Sequence, residues 1–348
     1  MDVRLSAEQV ALRDAAAQVV DRLGVHAVAD LDDTGRAAKL DDAVESSGWR
    51  ELRTAVADGS PLASAVEVAV VAEELGRGLA DAAFVGPTLA AELRRLAGAP
   101  PAERPETVAL QADLSGVADA PGGSVAAGSV AVDGTSARSA LVLVSEGEGH
   151  SLGELALEAP VPGVDLTRPS GGWGPPGRVS PVAGQDRQLG ADDVVRLHAL
   201  GLAATCADLV GTMRGALALA TDYARSRRQY GAPIGSFQAV QHLLADAFVA
   251  LEGSRSITLY AAWAVDALTP AEALGAASAA KAYCARAGRA VCETGIQVHG
   301  GIGNTWECLA HVFLRRALLS AEVLGGVGDN LERVLDGRGV PGGGRGLR

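Results

Sequence analysis

Lysine is nearly absent from this chain: Lys39 and Lys281 are the only two in 348 residues. Arginine therefore carries almost all the positive charge, and the formal net charge is −12. That balance excludes a general nucleic-acid or anionic-membrane surface, because such surfaces gain affinity through many spread cationic contacts. A small anionic ligand held at one local patch is still allowed. Aromatic residues are also scarce, at 3% against 48% hydrophobic overall. The core must be built from Ala, Leu and Val, which suits close helix–helix packing better than a sandwich of strands. No run of 18 uncharged apolar residues occurs, and the N-terminal stretch MDVRLSAEQVALRDAAAQVVDRL has no apolar leader region. The expectation is a soluble, cytoplasmic protein with no membrane partner. The four cysteines, Cys206, Cys284, Cys292 and Cys308, show no C-x-x-C spacing and lie in helical or near-helical segments. They read as reduced, buried thiols.

What is present divides into three textures. Residues 1–105 are helical in pattern. Ser6 with Gln9 three residues on forms a capping signal, and the run SAVEVAVVAEELGRGLADAAF ends near the Gly and Pro signals of GPTLAAELRRLAGAPP. Residues 106–187 hold short Val/Leu-rich runs (TVALQA, SVAVDG, SALVLVSEG, ELALEA) between Gly, Ser, Asp and Pro clusters. They predict short antiparallel strands with tight turns, and GGWGPPG at 171–177 predicts a loop. Residues 188–336 return to helix, with spans expected at about 190–227, 236–268, 269–297, 305–324 and 328–336. Residues 337–348, rich in Gly, predict a disordered tail. The layout is α+β and mainly α: an N-terminal helical domain, a small middle β-domain and a C-terminal four-helix bundle.

Two stretches carry chemistry. In RSRRQYGAPIGSFQAVQ, residues 225–241, Arg225, Arg227 and Arg228 close one helix while Gln238 and Gln241 open the next. A guanidinium fork matches phosphate oxygens at two points, and the free N–H groups of the following helix add to the pull on an anion. The bland alternative is a solvated set of arginines complementing a helix C-terminus. In QVHGGIGNTWECLAHVFLRRA, residues 297–317, Gly300, Gly301 and Gly303 let the backbone turn and approach something closely, or simply join two helices.

Taken together, R-x-Q-Y-G, Gln238 and Q-V-H-G-G resemble the C-terminal domain of the acyl-CoA dehydrogenases. The resemblance is close from about 190 to 335, weaker over 1–105 and weakest over 106–187. It implies the three-domain fold just outlined. It also implies that Arg227, Tyr230, Gln238, Gln297 and Gly301, with Gly300 in the same turn, contact an FAD bound mainly by a neighbouring subunit. His299 would shape the glycine turn. Family chemistry takes a proton from the α carbon of a thioester as a hydride leaves the β carbon, so a carboxylate must sit at that α carbon. The place that usually supplies it reads EVLGG here, with Leu324 at the base position. Glu322 lies two residues off, a rotation of about 200° along a helix. The alternative base position, 26 residues before Arg227, is Gly201. Glu307 has a family counterpart that is not the base.

The middle region lacks the family's E-P-x-A-G-S-D-like loop and W-[IVS]-[ST]-N-G-like strand, and Trp173 in GGWGPPG does not replace them. No metal-ligand spacing stands out among the histidines. A chain with the cross-subunit clamp but neither ring loop nor base resembles the degenerate subunit of heteromeric α2β2 acyl-CoA dehydrogenases that act on bulky substrates such as steroid side chains. The implied function is to complete the FAD site of a paralogous partner that carries the base. The complex would convert an acyl-CoA to its 2,3-enoyl-CoA and pass electrons to an electron-transfer flavoprotein. Two other readings stay open: a self-sufficient homo-oligomeric dehydrogenase with an unrecognised base, and a non-catalytic scaffold of the same fold.

Overall fold

The first helix, α1 (Ala7–Leu23), begins with the expected box: the Gln9 amide donates to Ser6 Oγ at 3.2 Å and the Ser6 amide to Gln9 Oε1 at 3.0 Å. The computed structural model describes residues 4–134, 136–157, 163–168, 170–172 and 177–338. Trp173 and residues 339–348 of the expected tail therefore lie outside the described residues. A second helix, α2 (Thr34–Ser46), had no expectation in the sequence pattern. The apolar run that follows holds one helix only, α3 (Ala65–Arg77). The Gly and Pro signals after it open α4 (Val85–Ala97) rather than ending a helix, because Gly86 and Pro87 fall in its first turn, where no N–H is required.

The middle region forms a sheet in the order β5-β2-β1-β3-β4-β6. Its strands are β1 (Glu106–Leu110), β2 (Val130–Ala131), β3 (Ser139–Glu146), β4 (Gly149–Ala156), β5 (Gly171–Gly172) and β6 (Ser180–Pro181). Three features differ from expectation. β1 and β3 pair in parallel, with Val108 opposite Leu141, since the chain loops out through β2 before β3 returns beside β1. β4 starts five residues before the predicted run. Gly171 and Gly172 pair with β2 instead of lying in a loop. Period-2 alternation gives the sheet two covered faces: Val108, Leu110, Leu141, Leu143 and Leu152 join the main core, while Ala109, Ala131, Ala140, Val142 and Leu155 form a separate small one.

The C-terminal helices are α5 (Ala191–Ser226), α6 (Gln238–Ala267), α7 (Pro270–His299), α8 (Ala310–Glu322) and α9 (Val327–Gly337). Between α5 and α6 a two-residue turn joins β7 (Arg228–Gln229) to β8 (Ala232–Pro233). Thr269 caps α7 in a box with Glu272, with Pro270 in the first helical position. α8 starts five residues later than expected because residues 305–309 turn first, with the Cys308 amide donating to the Thr305 carbonyl at 3.2 Å. By length and composition α5 could cross a membrane, yet 78% of its most apolar window is buried inside the fold. Small residues let it pack tightly: a Cβ on Gly211 would lie 1.9 Å from the Glu73 carbonyl oxygen, and one on Gly76 2.4 Å from the Asp208 carbonyl oxygen. α3 and α5 thus cross backbone against backbone. All four cysteines are free and buried, as expected.

A buried ionic network ties the segment after β4 to the bundle. Arg316 reaches Asp208 at 2.6 Å and Thr167 Oγ1 at 2.8 Å, Arg168 reaches Asp165 at 2.8 Å and Asp208 at 3.2 Å, and Ser320 donates to Asp208 at 2.7 Å. Burial alone would push the Asp208 and Asp165 carboxyls up. The guanidinium groups of Arg168 and Arg316 outweigh it and hold both below the usual range.

Candidate functional site

The arginine–glutamine stretch lies at one end of the bundle. Arg227 caps α5, its amide donating to the Tyr223 carbonyl at 2.8 Å. The β7–β8 turn follows, with Tyr230 at φ +51 and Gly231 at φ +81, the left-handed pair that a two-residue hairpin turn needs. This turn holds the Tyr230 ring outward, 97% exposed, with its nearest aromatic neighbour Phe237 edge-on at 6.3 Å. Gln238 is the first residue of α6. The three arginines differ in their surroundings. Arg225 pairs with Asp222 at 3.3 Å, Arg228 donates to the Gly231 carbonyl at 3.3 Å, and Arg227 has no side-chain partner among the described residues. Gln241 donates to the Gly235 carbonyl at 3.0 Å, while the exposed carboxamide of Gln238 has no partner there.

The glycine turn comes to the same end. Val298 packs with Ala220 and Ala224 of α5 and with Ile234 and Val240, and His299 stacks on Tyr223 with ring centroids 4.4 Å apart. The structure therefore brings the two stretches together at the junction of α5, α6 and α7, with Gln297 exposed on the last turn of α7. The two adjacent glycines have different physical demands. Gly300 sits at φ +66 and ψ −142, a conformation open in practice only to glycine. Gly301 has an ordinary φ, and a Cβ there would meet nothing within 4 Å. Among the described residues nothing requires a glycine at 301.

The expected base positions form a second locus. Leu324, between α8 and α9, is 1% exposed and held at φ +64. Its carbonyl takes hydrogen bonds from His198 Nε2 at 3.2 Å and Arg333 at 3.0 Å, which pin the turn. Lys281, fully buried, donates to the neighbouring Val323 carbonyl at 2.7 Å. A Cβ on Gly201 would lie 2.3 Å from Leu324 Cδ1. The two positions that could have carried a carboxylate thus touch each other, and a leucine side chain fills the space. Leu324 borders a cavity of about 300 Å³ lined by Leu89, Leu143, Val194 and Leu197 between the sheet and α5. Glu322 is exposed, but α8 ends at this residue and Leu324 lies in the left-handed turn beyond it, so the rotation expected along a continuous helix does not apply; Glu307 is exposed on the loop before α8.

Polar residues around this cavity had no signal in the sequence. Asp119 lines it but accepts from the Ser145 hydroxyl at 2.7 Å. His150 lines it too, its Nδ1 buried without a partner. Burial, with Arg333 nearby, pushes His198 down to about 4, so its ring is neutral and donates to Leu324. Among the described residues no group of His, Cys, Asp and Glu has the arrangement of a metal site.

The helical layers around a small mixed sheet, with this C-terminal glycine turn, define a member of the acyl-CoA dehydrogenases. Residues 197–333 match the family described as acyl-CoA dehydrogenase, C-terminal domain. The chain is 32% identical over 270 residues to acyl-CoA dehydrogenase IpdE2 of Mycobacterium tuberculosis, spanning 77% of this chain and 76% of that protein. It belongs to the acyl-CoA dehydrogenase family. Its fold is similar to a chain of the ChsE4–ChsE5 complex from Mycobacterium tuberculosis, with a TM-score of 0.75 at 24% identity over 97% of this chain and 99% of that one. It is also similar to a chain of a Tcur3481–Tcur3483 steroid ACAD variant, with a TM-score of 0.78 at 24% identity over 95% and 98%.

Proposed function

We propose that this chain is the subunit of a two-chain acyl-CoA dehydrogenase that lacks the base and completes the FAD site of a paralogous partner. The observation that carries the reading is the contact of Leu324 with Gly201: both places for the proton-abstracting carboxylate are apolar and closed on each other. The partner then supplies the base, and the acyl group is a bulky one such as a steroid side chain. Organisation into parts meeting near 105/106 and 187/188 belongs to the same reading.

The residues at the bundle end fit an FAD. Arg227 has no anionic partner among the described residues, Gln238 and Gln297 have free carboxamides, and Gly301 leaves its α carbon open to close approach. Arg227 would hold the pyrophosphate, a charge-assisted bond worth about 1.5–3 kcal/mol. Gln238 and Gln297 would bond adenine and ribitol edges, the Tyr230 ring would offer a flat apolar face, and Gly300 and Gly301 would let the backbone close on the cofactor. When bound, the flavin accepts the hydride of the acyl-CoA and passes its electrons to an electron-transfer flavoprotein. A partner chain also accounts for the exposed apolar residues of α6, Phe248 at 54% and Val249 at 68%, with Tyr283 of α7 at 44%.

Co-expression tests the reading. The chain co-purified with a base-bearing paralogue is expected to be yellow and to oxidise acyl-CoA, and the chain alone colourless and inactive. A chain that purifies alone, yellow and active, replaces this reading with the self-sufficient enzyme. A colourless assembly with every paralogue replaces it with the scaffold.

A further inference from the structure

The cavity bordered by Leu324 joins apolar walls to polar groups that the fold leaves unused. Leu89 of α4, Leu143 of β3, and Val194 and Leu197 of α5 make the walls, and the volume of about 300 Å³ is that of about ten molecules of liquid water. Apolar walls hold water poorly, and a space of this size suits a small organic molecule. Two imidazoles line it. His150, near the start of β4, has its backbone amide and carbonyl bonded to Leu189 at 3.0 and 2.8 Å, yet its Nδ1 is covered with no partner among the described residues. His198 Nε2 lies 3.2 Å from the Leu324 carbonyl oxygen, which can only accept, so Nε2 carries a proton. Burial pushes this ring down to about 4, so it is neutral and Nδ1 is left as a bare acceptor.

We propose that this cavity is a binding site for a small, neutral, mostly apolar alcohol, whatever occupies the arginine end. A hydroxyl both donates and accepts. Its proton goes to His198 Nδ1. Its oxygen accepts from the carboxamide of Gln111, whose Oε1 already takes the Ser115 hydroxyl at 3.1 Å while its N–H groups have no partner among the described residues. The His150 ring gains the bond it lacks, and the body of the ligand lies on the leucine and valine walls.

Charge excludes other classes of ligand. Asp119 lines the cavity, and its two oxygens accept from Ser145, from the amide at 3.2 Å and the hydroxyl at 2.7 Å. The cations near His198 are spent elsewhere. Arg333 donates to the Leu324 and Ser115 carbonyls at 3.0 and 3.2 Å and to Asn330 Oδ1 at 3.0 Å, and Lys281 donates to the Val323 carbonyl at 2.7 Å. A carboxylate or phosphate would therefore enter beside Asp119 with no cation to meet it, which burial makes costly. A pure hydrocarbon would cover the imidazoles and Gln111 without bonding them.

The test is isothermal titration of the full-length chain with adamantanol, with adamantanecarboxylate as the matched anion and octanoyl-CoA as a thioester. The alcohol is expected to bind saturably, and the carboxylate at least about tenfold more weakly. His150→Phe should weaken alcohol binding by about two- to tenfold through the loss of one hydrogen bond. Val194→Phe fills the cavity and should abolish binding. Should either variant not fold, the preference of the wild-type chain for the alcohol decides alone. No saturable binding of the alcohol, a carboxylate or octanoyl-CoA that binds as tightly, or binding unchanged in both folded variants overturns the inference. None of these outcomes bears on Arg227 or on flavin retention, so this inference and the proposed function fail separately.

Discussion

The contact of Gly201 with Leu324 can be measured as a coupling energy. In Gly201→Ala the new methyl would lie 2.3 Å from Leu324 Cδ1 and 3.3 Å from Leu89 Cδ1. Overpacking of that kind costs about 1–3 kcal/mol. Leu324→Ala removes a side chain that is 1% exposed and belongs to the main core. Opening that space costs about 2–5 kcal/mol. In the double variant, the methyl introduced at position 201 enters the space that the leucine side chain vacates, so clash and cavity offset each other. The double cost should then fall below the sum of the single costs by about 1–3 kcal/mol. Urea unfolding of the four proteins, with equal m-values, gives all the terms of the cycle. Additivity to within about 0.5 kcal/mol would mean that the two positions do not meet. The absence of the base would then lose its structural support.

Two further outcomes follow from buried charge. Arg168→Met strips a guanidinium from Asp165 and Asp208 at the joint between the segment after β4 and the bundle, and should destabilise by about 3–5 kcal/mol. Both carboxyls are held low, so their contribution is complete above their ordinary value of 3.8 and is lost as pH falls through the folded values. Removing the guanidinium lifts both folded values toward the ordinary one, so in the variant the loss of stability on acidification should be smaller in thermal melts. His198, pushed down to about 4 by burial, is neutral in the fold and titrates near 6.5 when unfolded. Its contribution is full above pH 6.5 and declines by up to about 1.4 kcal/mol per pH unit as pH falls toward 4. His198→Gln should flatten the stability curve in that window, and an unchanged slope would place the proton uptake elsewhere.

Local signals were legible in the sequence, and contacts between distant segments were not. Ser6 with Gln9, and Thr269 with Glu272 and Pro270, fixed two helix starts because a capping box is closed by residues three apart. α2 gave no signal because only Leu40 and Val44 of its residues are buried. The parallel pairing of β1 with β3 depends on a long excursion, which alternation within a strand cannot encode. Arg168 and Arg316 look like ordinary solvated arginines in the sequence, yet acidic and hydroxyl side chains gathered from distant segments bury them. The resemblance pointed to Gly201 and Leu324 separately, but only the fold brings them into contact. The arginine–glutamine end was visible as a cluster, whereas the isolation of Arg227 from any carboxylate among the described residues was not.

The central claim is that Arg227 grips the negatively charged linker of a flavin held by another chain. Its most direct measurement is the FAD dissociation constant of the co-purified complex with Arg227→Ala against wild type, read from flavin absorbance and fluorescence after dialysis. Loss of a charge-assisted bond worth about 1.5–3 kcal/mol predicts retention weaker by roughly tenfold to a hundredfold. The same dissociation constant in both complexes, with assembly intact, would contradict it.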